Sequence, residues 1–269
     1  MAKVDDLSRS PTALDQSETL ISVVELSRSS WLVGAVVPGV PRQPLKKIEP
    51  DAPELKRLIE RWCDEAKRAD RAIKRIVLAY EAGRDGFWLA RWLRARGIEV
   101  HVIHSTSVAV SREHRRAKTD RLDTVMLKRV FVGWLRGERG HCSMVAIPTL
   151  DEEDAKRPGR EREGLVRERT RIINRMKAAF VRLGIRDFKP ELRSSPARIE
   201  ILRTPENVPL PPNTLAEIRR DLARLSVLRE QIKAIEQERY KAIQREPDKA
   251  PHAMLRLLAR VIGVGIREC

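Results

Sequence analysis

The hydrophobic period of the chain changes near residue 50, and this change limits the possible folds more than any other feature. Residues 20–26 and 31–37 are apolar runs rich in β-branched side chains, separated by a four-residue polar turn, and they predict a β-hairpin. A short third strand is predicted at 45–48. From Ala52 onward the apolar residues recur at helical spacing, so the hairpin is followed by a helix.

Helices and strands then alternate. Strands are predicted at 76–80 and 98–103, with a helix at 87–93 between them and another helix from about Thr119 to Leu135. Antiparallel strands followed by alternating helix and strand require a mixed sheet with helices on both faces. The predicted fold class is therefore α/β, and the order of elements resembles that of the ribonuclease H-like fold.

Two acidic residues lie where functional side chains gather in such a sheet, at the carboxyl ends of neighbouring strands. Glu25 interrupts the first apolar strand, and Glu81 directly follows the strand that ends at Tyr80. Each has a simpler interpretation, because Glu25 could be a charge that protects a sheet edge and Glu81 could be a charge at a helix start. Their combination with two further acids favours a functional site.

Those two acids belong to residues 118–123, Lys-Thr-Asp-Arg-Leu-Asp. Asp120 and Asp123 are three residues apart, so at a helix start they point the same way. Four carboxylates from separate segments are enough for two divalent metal ions, which suit in-line phosphodiester chemistry. The motif alone is also typical of a helix start, where Asp is favoured by the helix dipole and Thr119 could be the N-cap.

A basic cluster surrounds the acidic pair and consists of Arg112, Arg115, Arg116, Lys118 and Arg121. The whole chain has 54 Lys and Arg against 38 Asp and Glu, a formal net charge of +16 and a pI of about 10.4. Such a balance usually reflects a basic face for phosphate. The sequence therefore predicts nucleic acid as the partner, with this cluster in contact with the phosphates.

The composition also excludes several other classes of protein. Cys63, Cys142 and Cys269 have no Cys-x-x-Cys spacing, so neither a disulfide framework nor a zinc ribbon is indicated. His101 and His104 face opposite sides of an apparent strand, which favours packing or surface roles over metal binding. No apolar run approaches the roughly 18 residues that span a bilayer, and the N-terminus lacks the pattern of a signal peptide. We expect a soluble intracellular protein.

The second half of the chain has the pattern of long helices. A charged linker at 151–160 precedes one amphipathic helix, and a proline-rich joint at 204–212 precedes a second one, which Asn213 could cap. The apolar residues between Leu215 and Ile235 form an approximate heptad seam. Two such helices predict either a hairpin or a coiled-coil dimer. The arginines at 167–175 could follow a nucleic-acid backbone, although a solvated charged face explains them too.

Three segments together resemble the DEDD-type insertion-sequence transposases, whose amino-terminal domain is RuvC-like. They are the strand that carries Glu25, the turn Tyr-Glu-Ala-Gly-Arg-Asp-Gly at 80–86, and the Lys-Thr-Asp-x-x-Asp element at 118–123. The strand at 98–103 and the run at 105–116 also resemble the segment that precedes the Lys-Thr-Asp motif in this family. The resemblance covers about residues 20 to 145.

The resemblance implies a metal-dependent DNA recombinase. Glu25, Glu81, Asp120 and Asp123 match the family's motif and would be catalytic ligands of Mg²⁺ or Mn²⁺. The family usually has Asp on the first strand, so Glu25 departs from the pattern by one methylene. The implied partners are the DNA of the element ends and target, an element-encoded structured RNA as a candidate guide, and further copies of the chain associated through a coiled coil. The implied location is the bacterial cytoplasm, in association with the nucleoid.

The patterns and the resemblance together divide the chain into four parts. We expect a flexible arm at 1–19, a RuvC-like domain at 20–147, a helical coiled-coil region at 148–258, and the start of a second conserved domain at 259–269. Full-length relatives carry a serine nucleophile in that second domain, so a truncated transposase is expected, although glycine caps at a helix end explain the same residues. The alternatives are a RuvC-like junction nuclease and an inactive nucleic-acid-binding remnant.

Overall fold

The computed structural model describes residues 10, 12–83, 86–108, 120–138 and 140–245, without the side chains of residues 120 and 121. The chain divides into two compact units between Leu150 and Asp151. The first unit contains β1 (Thr19–Leu26), β2 (Trp31–Val36), β3 (Leu45–Ile48), α1 (Ala52–Arg68), β4 (Arg75–Glu81), α2 (Trp88–Arg94), β5 (Glu99–Ile103), a 3₁₀ turn (Ser105–Ser107), α3 (Asp120–Leu135) and β6 (Met144–Val145). The helix α4 (Leu150–Asp154) lies at the division, and the second unit contains α5 (Arg157–Arg182), α6 (Ser195–Ile201) and α7 (Pro212–Arg245).

A six-stranded mixed sheet forms the centre of the first unit. Its strand order is β3-β2-β1-β4-β5-β6. β1, β4 and β5 are mutually parallel neighbours, whereas β2, β3 and β6 each run antiparallel to the strand beside them. The predicted α/β class is therefore confirmed, and the predicted strands lie within one residue of those observed. The two-residue strand β6 was not predicted.

Helices cover both faces of this sheet, as the order of elements predicts. The central strands are buried on both sides, so alternate residues enter two different cores. Leu20 and Val24 of β1 pack with α1 and α2 on one face. Ile21 and Val23 pack with α3 on the other face. The side on which a β1 residue lies is thus set by whether its number is odd or even.

Local signals explain where α1 begins and ends. Asp51 is its N-cap, and its carboxylate accepts a hydrogen bond of 2.9 Å from the backbone N–H of Glu54. Pro53 occupies the first turn, where a missing N–H costs nothing. Lys67 and Arg68 occupy the last turn, where cations favour the helix dipole.

The described part of the predicted N-terminal arm lies against α3. The backbone N–H of Ser10 donates to the carbonyl of Trp134 over 3.1 Å. Leu14 is half-buried and packs against the core on the α3 face. Residues 10 and 12–18 are therefore held on the first unit by a backbone hydrogen bond and an apolar contact.

The second unit is an antiparallel hairpin of α5 and α7, closed by α6. Arg162 near the start of α5 pairs with Glu236 near the end of α7 at 2.9 Å, and Arg175 pairs with Asp221 at 2.6 Å. Of the two predicted arrangements, the hairpin is the one observed within the chain. The predicted cap at Asn213 is wrong, because α7 already begins at Pro212, whose fixed φ suits the first helical position.

Candidate active site at the carboxyl edge of the sheet

The register of two parallel strands places two acids side by side. β1 and β4 are aligned so that Val24 stands beside Tyr80. The paired register ends there, and the next residues are Glu25 on β1 and Glu81 on β4. Glu25 is half-buried and Glu81 is exposed. The structure therefore brings these two predicted site residues together at the carboxyl edge of the sheet.

Both acids belong to the face that α3 covers. Side chains alternate between the two faces of a strand, so each acid shares its face with the residues two and four positions before it. On that face, the residues that pack with α3 are Ile21 and Val23 on β1 and Val77 and Ala79 on β4. Glu25 and Glu81 continue these two rows to the edge, where the rows end in carboxylates.

The first turn of α3 lies on the sheet just before this edge. Gly34 of β2 is paired with Val23, and a Cβ atom at Gly34 would lie only 3.0 Å from Cγ2 of Thr124. Thr124 is only 1% exposed. The absence of a side chain at Gly34 thus allows α3 to approach β2 closely, two residues along the sheet from Glu25. Asp123 precedes Thr124 and is half-buried.

Asp120 is the first residue of α3, one helical turn before Thr124. Its side chain is not among those that the structure describes. Glu25, Glu81 and Asp123 are described, and each of them has an interaction partner. Among the side chains that the structure describes, no three from His, Cys, Asp and Glu are grouped closely enough to hold a metal ion. The structure thus pairs the two strand acids and sets the start of α3 on the same face.

The turn that follows Glu81 is held at both ends. The backbone N–H of Ala82 donates to the carbonyl of Ile103 on β5 over 2.7 Å. The hydroxyl of the buried Tyr80 donates to the carbonyl of Gly86 over 3.0 Å. Gly86 has a φ of +66°, a value that glycine adopts without strain. Because these contacts are close to Glu81 in sequence, they limit how far its backbone can move.

Most of the predicted phosphate-binding cluster lies outside the described residues. This applies to Arg112, Arg115, Arg116 and Lys118 and to the side chain of Arg121. The described segment before the cluster is anchored to the sheet by Ser107. Its hydroxyl oxygen accepts a hydrogen bond of 2.9 Å from the backbone N–H of Ser143 and also donates to the carbonyl of His104 over 2.7 Å. The described segment at Ser105–Ser107 is therefore fixed at the carboxyl end of β5.

The amino edge of the same sheet holds an acid in a different setting. Arg75, the first residue of β4, donates two hydrogen bonds of 2.8 Å to the carboxylate of Glu99, the first residue of β5. The Nε2 atom of His101 is 2.7 Å from the same carboxylate. Arg75 and then His101 lower the pKa of Glu99 from 4.5 to about 2. The sequence analysis missed this cluster, although an Arg and a Glu that open two neighbouring parallel strands were a usable signal.

The two histidines have the roles that strand geometry predicts. The ring of His101 lies 4.7 Å from the ring of Trp134 and 5.7 Å from that of Phe131, both on α3. His104 follows β5 and is exposed, with Nδ1 2.9 Å from the hydroxyl of Thr106. His101 thus packs against α3 and His104 lies on the surface, and both roles are among those predicted.

The tryptophans of α2 differ from each other. Trp92 is half-buried against the core, and the guanidinium of Arg96 lies 3.7 Å from the centre of its ring. Trp88 is 42% exposed, and its ring centre is 6.3 Å from that of the buried Trp31. Trp92 therefore packs with the core, whereas much of Trp88 lies on the surface.

An acidic carboxyl edge on a mixed α/β sheet in a strongly basic chain defines a class of protein that acts on nucleic acid. Comparison with known proteins then gives the family. The profile of the IS110-type DEDD transposases, described as Transposase, matches residues 42–184, which is more than half of the chain. The chain belongs to this family. Glu81, Asp120 and Asp123 lie within the matched range, and Glu25 lies before it.

A relative of known sequence agrees with the family. The chain is 37% identical over 257 residues to "Putative transposase y4rJ" of Sinorhizobium fredii, strain NBRC 101917 / NGR234. The match covers 94% of this chain and 64% of that relative. No solved structure matches the chain. Within the described residues, no helix is both long and apolar enough to cross a membrane.

Proposed function

We propose that this insertion-sequence transposase cleaves DNA strands in a metal-dependent step at the carboxyl edge of its sheet. Glu25, Glu81, Asp120 and Asp123 would be the ligands of two Mg²⁺ or Mn²⁺ ions. The observation that carries the proposal is the parallel register of β1 and β4, whose last pair, Val24 and Tyr80, immediately precedes Glu25 and Glu81. A mixed sheet with parallel strands at its centre supports the ribonuclease H-like, RuvC-like assignment.

The donor set fits hard divalent cations, because Mg²⁺ and Mn²⁺ prefer carboxylate oxygen ligands. Glu25 and Glu81 supply two carboxylates from adjacent strands. Thr124 lies against β2 at Gly34, and this close approach supports a position of the first turn of α3 near the same face. Divalent ions bound here would activate the attacking oxygen and stabilise the leaving oxygen of a phosphodiester.

The protein's own residues have separate tasks in this proposal. Tyr80 fixes the turn after Glu81 through its hydrogen bond to Gly86, so the carboxylate enters the site from a fixed backbone. The basic cluster at 112–121 would hold the DNA phosphates on either side of the cleaved bond. Its connection to the carboxyl end of β5 supports this role, because that strand end adjoins Glu81.

The helical unit supports a more limited proposal about partners. Leu222, Leu225 and Leu228, from the predicted coiled-coil seam, are buried against α5 within the same chain. Association with further copies would therefore use a different surface from this part of the seam. The net charge of +16 would favour DNA and, as a second polyanion, an element-encoded structured RNA.

Metal binding by the helical acids tests the proposed function. Asp120→Asn combined with Asp123→Asn should weaken Mn²⁺ binding at least about tenfold and remove Mg²⁺-dependent nicking of DNA, because half of the proposed ligands lose their charge. Isothermal titration calorimetry with Mn²⁺ gives the affinity, and circular dichroism checks that helix content is unchanged.

The matched control is a second pair of acids with the same spacing. Asp151 and Asp154 are exposed and three residues apart on α4. Asp151→Asn combined with Asp154→Asn removes the same charge and should leave Mn²⁺ affinity unchanged. If both double variants bind Mn²⁺ as tightly as the unmodified protein does, the proposed metal site is wrong.

A further inference from the structure

We infer that Trp88 is a stacking platform for an unpaired nucleobase of the DNA strand that enters the carboxyl edge of the sheet. The inference rests on the proposed function and adds to it a residue that contacts bases, whereas the proposed site contacts only phosphates. Among the described residues of the first unit, Trp88 is the aromatic side chain that is more than a third exposed.

The position of Trp88 links it to the paired acids. Its neighbour Trp31 opens β2 and stands opposite Leu26, the residue after Glu25. The two indole rings are 6.3 Å apart, with 41° between their planes. Trp88 also follows the turn after Glu81, and the bond from Tyr80 holds that turn. Both connections place Trp88 at the same edge of the sheet as the two carboxylates, on the opposite face, which α2 covers. A DNA strand that crosses this edge would pass from the acids to the Trp88 ring.

The packing of Trp88 keeps its ring in place while part of the ring stays open. Trp31 is 2% exposed and supports the ring from the core side. Leu89 and Ala90, the next residues of α2, are buried and anchor the backbone. A ring that is already immobilised loses little conformational entropy when a base stacks on it. Every base has a π-face, so such a contact is tolerant of sequence.

The ring of Trp88 is more accessible to a base than the ring of the other tryptophan on α2. Trp92, one turn further along α2, has the guanidinium of Arg96 over its ring at 3.7 Å, so that face is already occupied. Trp88 has Trp31 as its described aromatic neighbour and keeps 42% of its surface exposed. The proposed cleavage would leave strand ends next to the cleaved bond, and a terminal base of such an end would have access to the ring.

Binding of a short single-stranded DNA of mixed sequence tests the inference. Trp88→Ala should weaken binding about 5- to 100-fold by fluorescence anisotropy, which is the loss expected for one stacked base. The slope of log affinity against log salt should stay unchanged, because no phosphate contact is removed. Trp88→Phe should stay within about threefold of the unmodified protein.

Trp92→Ala is the matched control, since it removes the same side chain from the same helix. It should bind the DNA as the unmodified protein does, and thermal unfolding shows whether each variant is folded. A scan with 2-aminopurine at successive positions should show one position whose fluorescence is quenched by the unmodified protein and not by Trp88→Ala.

The outcomes separate this inference from the proposed function. If the unmodified protein does not bind DNA, the proposed function fails and the inference fails with it. If the unmodified protein binds and folded Trp88→Ala binds equally well, the stacking role alone is wrong. A weaker affinity together with a flatter salt slope would also overturn it, because the lost contact would then be to phosphate.

Discussion

The two edges of one sheet hold acids in different structural settings. At the amino edge, Glu99 accepts two hydrogen bonds from Arg75, and the Nε2 atom of His101 lies 2.7 Å from the same carboxylate. At the carboxyl edge, Glu25 and Glu81 follow the paired residues Val24 and Tyr80 on two neighbouring strands. The first arrangement joins an acid to a neighbouring cation, whereas the second brings two acids to the ends of adjacent strands.

This difference separates a structural contact from a proposed functional site. An acid paired with a guanidinium contributes to stability, because hydrogen bonds to the ionised form are stronger than neutral ones. Acids gathered at the carboxyl ends of neighbouring strands are more typical of functional sites. The amino edge therefore has the character of a structural contact, and the proposed cation-binding site lies at the carboxyl edge.

The largest expected effect comes from removing one carboxylate charge at each edge in turn. Glu81→Gln should lower Mg²⁺-dependent DNA cleavage about 100-fold or more, because it removes a proposed metal ligand. Glu99→Gln should leave cleavage within about threefold, since Glu99 lies at the far edge. The initial rate of nicking of a supercoiled plasmid gives both values.

Unfolding should show the reverse order. Glu99→Gln should lower the midpoint of thermal unfolding, because it weakens the contacts with Arg75 and His101. Glu81→Gln should change the midpoint less, because Glu81 is exposed at the end of its strand. If Glu81→Gln and Glu99→Gln lose the same amount of DNA cleavage, the carboxyl edge is not the functional edge of the sheet.

A smaller effect is expected where α3 approaches the sheet. Gly34→Ala places a methyl group 3.0 Å from Cγ2 of Thr124, so the buried Thr124 side chain must move by a few tenths of an ångström. We expect a loss of about 1–3 kcal/mol in the free energy of unfolding, measured with urea, together with weaker Mn²⁺ binding. Gly164→Ala on α5 is the control, because nothing lies within 4 Å of the new methyl group. The control should raise stability by about 0.5–1 kcal/mol through helix propensity.

If Gly34→Ala keeps both its stability and its Mn²⁺ affinity, the contact between Gly34 and Thr124 does not position the acids of α3.

The smallest effect is a pH dependence at the amino edge. The pKa of Glu99 is lowered from 4.5 to about 2 in the folded protein. A lowered pKa stabilises the fold above the unfolded value, so the contribution of Glu99 is complete above about pH 4.5 and is lost as the pH falls towards 2. The Glu99 side chain is 40% exposed, and solvent screening limits the contribution to roughly 1 kcal/mol.

The difference in free energy of unfolding between the unmodified protein and Glu99→Gln measures this contribution. It should be largest near pH 7 and shrink between pH 4.5 and 2. A difference that stays constant over that range would show that Arg75 and His101 do not act through the charge of Glu99.

The sequence by itself determined the elements of the first unit and the placing of acids at strand ends. Periods of 2 and 3.6 residues are local properties, so β1, β4 and α3 could be predicted from their own residues. The position of Glu81 after a buried strand is equally local. The strand β6 was missed because two residues are too few to show any period.

Only the tertiary structure decided which side chains meet. The contact of Arg75 with Glu99 spans 24 residues, and it depends on the register between two strands, which neither strand encodes alone. The close approach of Thr124 to Gly34 and the exposure of Trp88 depend on how helices pack on the sheet. The apolar stripe of α7 suits a hairpin or a dimer equally well. Its packing against α5 settled the choice, because burial of a stripe depends on which partner surface is available.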